Sequence, residues 1–194
     1  MQIVSYVSQN FTNLQAVYDY LSANVPWWDS TVDKLTAGNI TLEMSSSNIK
    51  FTETSGEQTF TTASMLGGNY PVYILITDTA FLICWQSSSS GRDTIIVGKS
   101  TDGTNEHYAA IYKAYNNAIK ALTYGAVTMG NQSIPMQSSA YNMQLIPVYA
   151  TESAYNVKNA YIILMTTNTS YNGKFVLNGK KYVQGNGLAL QYTE

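Results

Sequence analysis

Charge is what this sequence has least of. Lys, Arg, Asp and Glu make up 11% of its 194 residues, against roughly 25% in ordinary soluble domains. Ten cations against twelve anions leave a net charge of −2, which gives no electrostatic reason to approach nucleic acid or an anionic membrane. One cysteine, Cys84, excludes an internal disulfide; it lies in the apolar run Phe81-Leu82-Ile83-Cys84-Trp85 and reads as a buried, inert thiol. One histidine, His107, excludes a zinc site built on clustered His and Cys ligands. The apolar stretches, Val72 to Ile76 and Ala160 to Met165 among them, fall far short of the roughly 20 residues a bilayer span requires. The start, Met1-Gln2-Ile3-Val4-Ser5, has neither a basic n-region nor an apolar h-region, so no secretory signal is expected.

Tyr, Ser, Thr, Asn and Gln stand where the missing charges would be. Sixteen Tyr, three Trp and five Phe bring the aromatic share to 12%. A surface of this kind has little self-repulsion to keep copies apart, and Tyr and Trp supply rigid contact area at low entropic cost. Trp27-Trp28 is the heaviest aromatic pair and the expected exposed anchor. Sugar rings stack on the same side chains, so a carbohydrate- or receptor-binding module is the alternative reading.

Periodicity divides the chain. Phe11, Leu14, Val17, Tyr18 and Leu21 recur at helical spacing, with Thr12 and Gln15 placed for a capping box and Pro26 as a stop. From Gly38 the pattern alternates. Ile40, Leu42 and Met44 share one strand face, opposite Ile49 and Phe51 across a Ser-rich turn. Tyr70 to Thr77 and Ala80 to Gln86 read as a buried hairpin around Asp78-Thr79, followed by a strand over Thr94 to Gly98. Tyr108, Ile111, Tyr112, Tyr115, Ile119 and Leu122 keep helical spacing and predict a second helix; a hairpin around Asn116-Asn117 is its rival. Strands follow over Met143 to Tyr149 and Ala160 to Thr166. Then come a hairpin turning at Asn178-Gly179 and a last strand, Leu188 to Tyr192. The expected fold is mainly β (α+β): an antiparallel β-sandwich or barrel-like domain with an N-terminal helix and one further helix. It reads as a single domain over 1–194, with 1–37 the helical segment and 38–194 the β-rich body.

Catalytic chemistry finds little footing. A Ser-His-Asp triad would have to use His107, and no Gly-x-Ser-x-Gly elbow exists. Gly98-Lys99-Ser100-Thr101 resembles the end of a phosphate loop, but Asp93 stands where the first glycine is required. Glu43, Glu53, Glu57, Glu106 and Glu152 sit in no catalytic context. The expectation is a protein that is not an enzyme, with no cofactor and no metal.

The C-terminal third carries a likeness. Ala160 to Met165, then Tyr171-Asn172-Gly173-Lys174-Phe175-Val176-Leu177-Asn178-Gly179-Lys180-Lys181-Tyr182-Val183, then Leu188-Ala189-Leu190, resembles the ends of bacteriophage virion proteins. These are tail, baseplate and neck-associated components of phages and prophages of gut Firmicutes. The resemblance covers about thirty-five residues of turns and strands and transfers no functional residue. It implies a virion component made in the host cytoplasm and packed in a symmetric assembly. Its partners would be copies of itself and other virion proteins, or, on the alternative reading, a host surface glycan. Trp27, Trp28 and Tyr192 are the candidate interface residues, Tyr192 because the terminal segment could lend an edge strand to a neighbour.

Overall fold

The computed structural model describes residues 2–31, 34–38, 40–45, 48–53, 59–62, 71–86, 91–101, 106–115, 119–123, 136–138, 143–146, 162–165, 173–177 and 179–194. Those residues form three antiparallel sheets and one helix. Strands β1 (Ile3–Gln9), β7 (Val72–Thr77), β8 (Ala80–Gln86), β9 (Arg92–Thr101), β10 (Glu106–Lys113) and β11 (Ile119–Thr123) pair in that order as a central six-stranded sheet. Strands β2 (Asp29–Thr31), β3 (Lys34–Ala37), β4 (Ile40–Ser45), β5 (Asn48–Glu53) and β6 (Thr59–Thr61) form a five-stranded meander. A third sheet, in the order β12-β13-β14-β17-β16-β15, is built from β12 (Met136–Ser138), β13 (Met143–Ile146), β14 (Ile162–Met165), β15 (Gly173–Leu177), β16 (Lys180–Gln184) and β17 (Leu188–Tyr192).

The alternation of side chains along a strand explains how these sheets stack. In the central sheet Ile74, Ile76, Phe81, Ile83, Trp85, Ile95, Val97, Ala110 and Tyr112 point one way. They join Leu35, Ile40, Leu42, Ile49 and Phe51 of the meander and Leu14, Val17, Tyr18 and Leu21 of helix α1 (Leu14–Asn24) in one core. Leu75, Leu82, Cys84, Ile96, Ala109 and Ile111 point the other way, onto Val183, Leu188, Leu190 and Tyr192 of the C-terminal sheet. The result is three layers with two cores, one layer more than a simple sandwich. All seven residues of β8 are buried, which is why its sequence reads as a continuous apolar run.

Helix α1 forms where the spacing predicts it. Its cap is Asn13, one residue beyond the expected Thr12: the Asn13 carboxamide oxygen accepts the Ala16 N–H at 2.9 Å. The second helix does not form. Glu106–Lys113 is a strand paired with β9 on one side and with Ile119–Thr123 on the other. Residues 108–114 are buried throughout; a helix could bury only a stripe, whereas a strand between two layers buries both faces. Alternate residues Tyr108, Ala110 and Tyr112 enter one core and Ala109 and Ile111 the other. The tip of this hairpin, at 116–118, lies outside the described residues, as do the turn residues 46–47, 102–103 and 178, the stretch 147–149 and residues 160–161.

Other expected pairings hold in register: Leu42 faces Phe51, Met44 faces Ile49, and Leu177 faces Lys180. At the last of these, Gly179 adopts φ +75°, the left-handed conformation that a two-residue hairpin turn requires. Strands β1, β2 and β3 fall inside the segment 1–37, where the periodicity showed only a helix. Among the described residues no helix is long and apolar enough to cross a membrane.

Neighbouring positions on β8 serve different cores, which allows each to be tested alone. Leu82→Ala should weaken the C-terminal interface and Ile83→Ala the meander interface, each by about 2–5 kcal/mol. If the layers fold as one unit, denaturant titration gives one transition for both variants, shifted to lower midpoint. Two separable transitions would show that the layers fold independently.

Candidate functional site

Two side-chain clusters mark opposite ends of β9. At the Arg92 end, Cys84, Thr94 and Lys113 stand side by side on β8, β9 and β10. The turn 185–187 between β16 and β17 closes over them. Asn186 donates its backbone N–H to the Thr94 hydroxyl at 2.6 Å, and its carboxamide N–H to the Arg92 carbonyl. Thr94 and the Asn186 N–H also reach the Cys84 sulfur, but burial outweighs them and pushes the thiol pKa up. The Lys113 side chain lies under Gly187, where an added Cβ would stand 2.5 Å from its Cε; Gly187 also has φ +68°, so two constraints select glycine there. Burial pushes the Lys113 ammonium down, against the pull of the nearby Asp93 charge. On the opposite face Asp93, fully buried, accepts from the Tyr112 hydroxyl and, at 3.1 Å, from the Tyr115 N–H. The Asn186 contacts fasten the C-terminal layer to the central sheet, and the Asp93 contacts tie β9 to β10 within it.

At the other end Trp27, Trp28, Phe81 and Tyr108 form an aromatic cluster. Trp27 stacks on Phe81 at 6.3 Å and tilts against Tyr108 at 5.8 Å, with the Lys99 ammonium 6.0 Å from its ring centroid. Trp28 meets Trp27 and Phe81 edge-on. The indole N–H groups of both tryptophans find no acceptor among the described residues. Packing, then, holds the pair in place. Tyr108 donates to Glu106 at 2.6 Å, and Glu106 bridges to Lys99 at 3.0 Å.

Two of the candidate interface residues, Trp28 and Tyr192, are buried. Trp28 is 7% exposed and belongs to the first core, while Trp27 is half-buried with its ring engaged by Phe81, Tyr108 and Lys99. Trp28 is thus a core residue, whereas Trp27 keeps part of its surface exposed. Tyr192 is 3% exposed and sits on β17, which is paired on both sides, by β14 and β16, so it is no edge strand to lend. Gly98-Lys99-Ser100-Thr101 lies within extended β9, paired along its length with β10, and forms no phosphate loop. Glu43 is held between Lys34 (2.7 Å) and Lys50 (3.8 Å). Glu53 and His107 are placed by backbone pairing, opposite Ile40 and Ser100; Glu57 and Glu152 lie outside the described residues. Among the described residues no three His, Cys, Asp or Glu gather as a metal-binding group.

What the structure leaves outward is apolar and lies elsewhere. Val176 on β15 is 67% exposed, Val4 49% and Tyr6 40% on β1. The Lys174 ammonium stands 5.9 Å from the Tyr6 ring and 5.7 Å from that of Tyr192, so β1 and β15 border one patch. Both strands end their sheets, and no residue of β1 is buried. Residues 3–9 carry no charge and no proline, the devices by which exposed edges commonly discourage pairing. The alternation of Val4, Tyr6 and Ser8 was the available sequence signal for this strand. Comparison with protein-family models, with curated proteins and with solved structures returns no match for this chain.

Two measurements probe the buried clusters. Cys84 should resist thiol reagents in the native protein and label fully once unfolded, because a buried thiol with a raised pKa offers almost no thiolate; rapid native labelling at pH 8 would contradict its burial. Burial and the Glu106 carboxylate raise the Tyr108 phenol far above its ordinary value. The folded state therefore holds this proton more tightly than the unfolded chain. That contribution is complete below about pH 10 and is lost as the pH rises past it. Tyr108→Phe should lose less stability than the wild type between about pH 9 and pH 11; parallel curves would remove Tyr108 as a source.

Proposed function

We propose that this chain is a non-catalytic structural component of a bacteriophage particle, working in the virion through symmetric packing against its own copies and other virion proteins. The observation that carries this reading is the patch formed by Val4, Tyr6 and Val176 along two sheet edges on a chain with few charges to oppose contact. Edge strands offer unpaired backbone groups to a neighbour, and apolar side chains beside them add area whose burial is favourable. The Asn186 contacts serve cohesion between layers, which is what a building block under load requires. The likeness of the C-terminal strands and Asn-Gly hairpin to phage virion proteins supplies the setting.

Light scattering coupled to size exclusion is the direct test. An assembly of defined stoichiometry is expected, and mass spectrometry of purified particles should find the chain among their components. A strict monomer at every concentration, absent from particles, would overturn the reading.

A further inference from the structure

Charge is scarce here, and it is also unevenly placed. Among the described residues, helix α1 and the meander carry Asp19, Asp29, Glu43 and Glu53 against Lys34 and Lys50, a net of −2, and the C-terminal sheet carries Lys174, Lys180 and Lys181 against Glu194, a net of +2. The fold sets these charges on different layers. Helix α1 and the meander cover one face of the central sheet, and the C-terminal sheet covers the other.

The basic side has a defined focus. Lys174 and Lys181 are exposed on one face of the hairpin β15–β16 beside outward Val176, which pairs with Lys181, and Lys180, paired with Leu177, is exposed on the other face at the turn. Lys181 is partly offset by Glu194 at 2.9 Å, and Lys174 rests against Tyr6 and Tyr192. An apolar centre with a charged rim is the usual anatomy of a protein interface. On the acidic side Asp19 of α1 and Asp29 of β2 are exposed, whereas Glu43 is already engaged by two lysines.

We infer that copies of this chain associate head to tail, the hairpin β15–β16 of one seating against the α1 and β2 surface of the next. This rests on the assembly reading above and specifies its contact. A second copy is the occupant because the chain carries both halves of the charge match on opposite layers. Two hairpins facing each other across a two-fold axis would set Lys174 and Lys181 of one copy against those of the other, and like charges so placed oppose binding. Two different surfaces on opposite sides make a heterologous contact, which propagates into a ring or a filament.

A charge-swap experiment on the full chain tests this. One variant carries Lys174→Glu, Lys180→Glu and Lys181→Glu; the other carries Asp19→Lys and Asp29→Lys. All five positions are exposed, and circular dichroism checks that both variants fold. Wild-type association should weaken with added salt. Each variant alone should run as a monomer, since its two surfaces now share a sign. Mixed in equal amounts they should assemble, because each hairpin again meets a layer of opposite sign. If either variant self-associates as the wild type does, the contact lies elsewhere and this inference falls while the assembly reading stands. A mixture that stays monomeric, with the wild type assembling, overturns it too. A wild type that is monomeric throughout removes both.

Discussion

Strands β7 to β10 have apolar side chains on both faces, and the rest of the architecture answers to that. A sheet of this kind cannot sit at a surface. Each face has to be covered, and burying one Leu or Ile is worth about 1.5–3 kcal/mol, so leaving either face in water would cost more than the fold could sustain. The chain supplies a cover from each end. Helix α1 and strands β2 to β6, which precede β7, form one cover, and strands β12 to β17, which follow β11, form the other. Trp85 and Leu82, separated by only three positions on one strand, belong to different cores for this reason.

Covering layers need fixing as well as stacking, since hydrophobic burial has no direction. The polar groups at the ends of β9 supply the direction. Asn186 bonds to Thr94 and Arg92 and sets the register of the C-terminal layer. The Tyr18 hydroxyl, bonded to the Thr31 carbonyl at 2.7 Å, ties the helix to the meander. Lys113 and Asp93 are ionisable groups in buried positions, where only close partners make them tolerable. A chain with so few charges has placed two of them where they can act as pegs.

Strand alternation was legible in the sequence in several strands with one wet face. Ile40, Leu42 and Met44 against Ile49 and Phe51, and the hairpin at Gly179, are examples. With both faces dry, the hairpin of β7 and β8 was still legible from its length and its Asp78-Thr79 turn, whereas β10 was not. In Tyr108 to Tyr115 every residue is apolar or aromatic except Lys113, so a helical period can be picked out of a run that has no true period. Trp28 was misplaced for a related reason: its size marks it as important without saying whether a core or a surface uses it. Tyr192 looked terminal in sequence and is central in space, because β17 inserts between β14 and β16. Nothing local in the sequence could reveal an insertion of that kind.

Strand β1 has a further consequence, in time. Its partner is β7, with Ser5 opposite Ile76 and Gln9 opposite Val72. At synthesis rates of roughly 5–20 residues per second, β7 follows β1 out of the ribosome after roughly 4–14 seconds. Throughout that interval a seven-residue, uncharged, β-forming segment has no mate within its own chain. Nascent chains on one messenger would expose these segments to one another, so the timing of translation, and chaperone cover during it, should govern the yield of correctly folded protein.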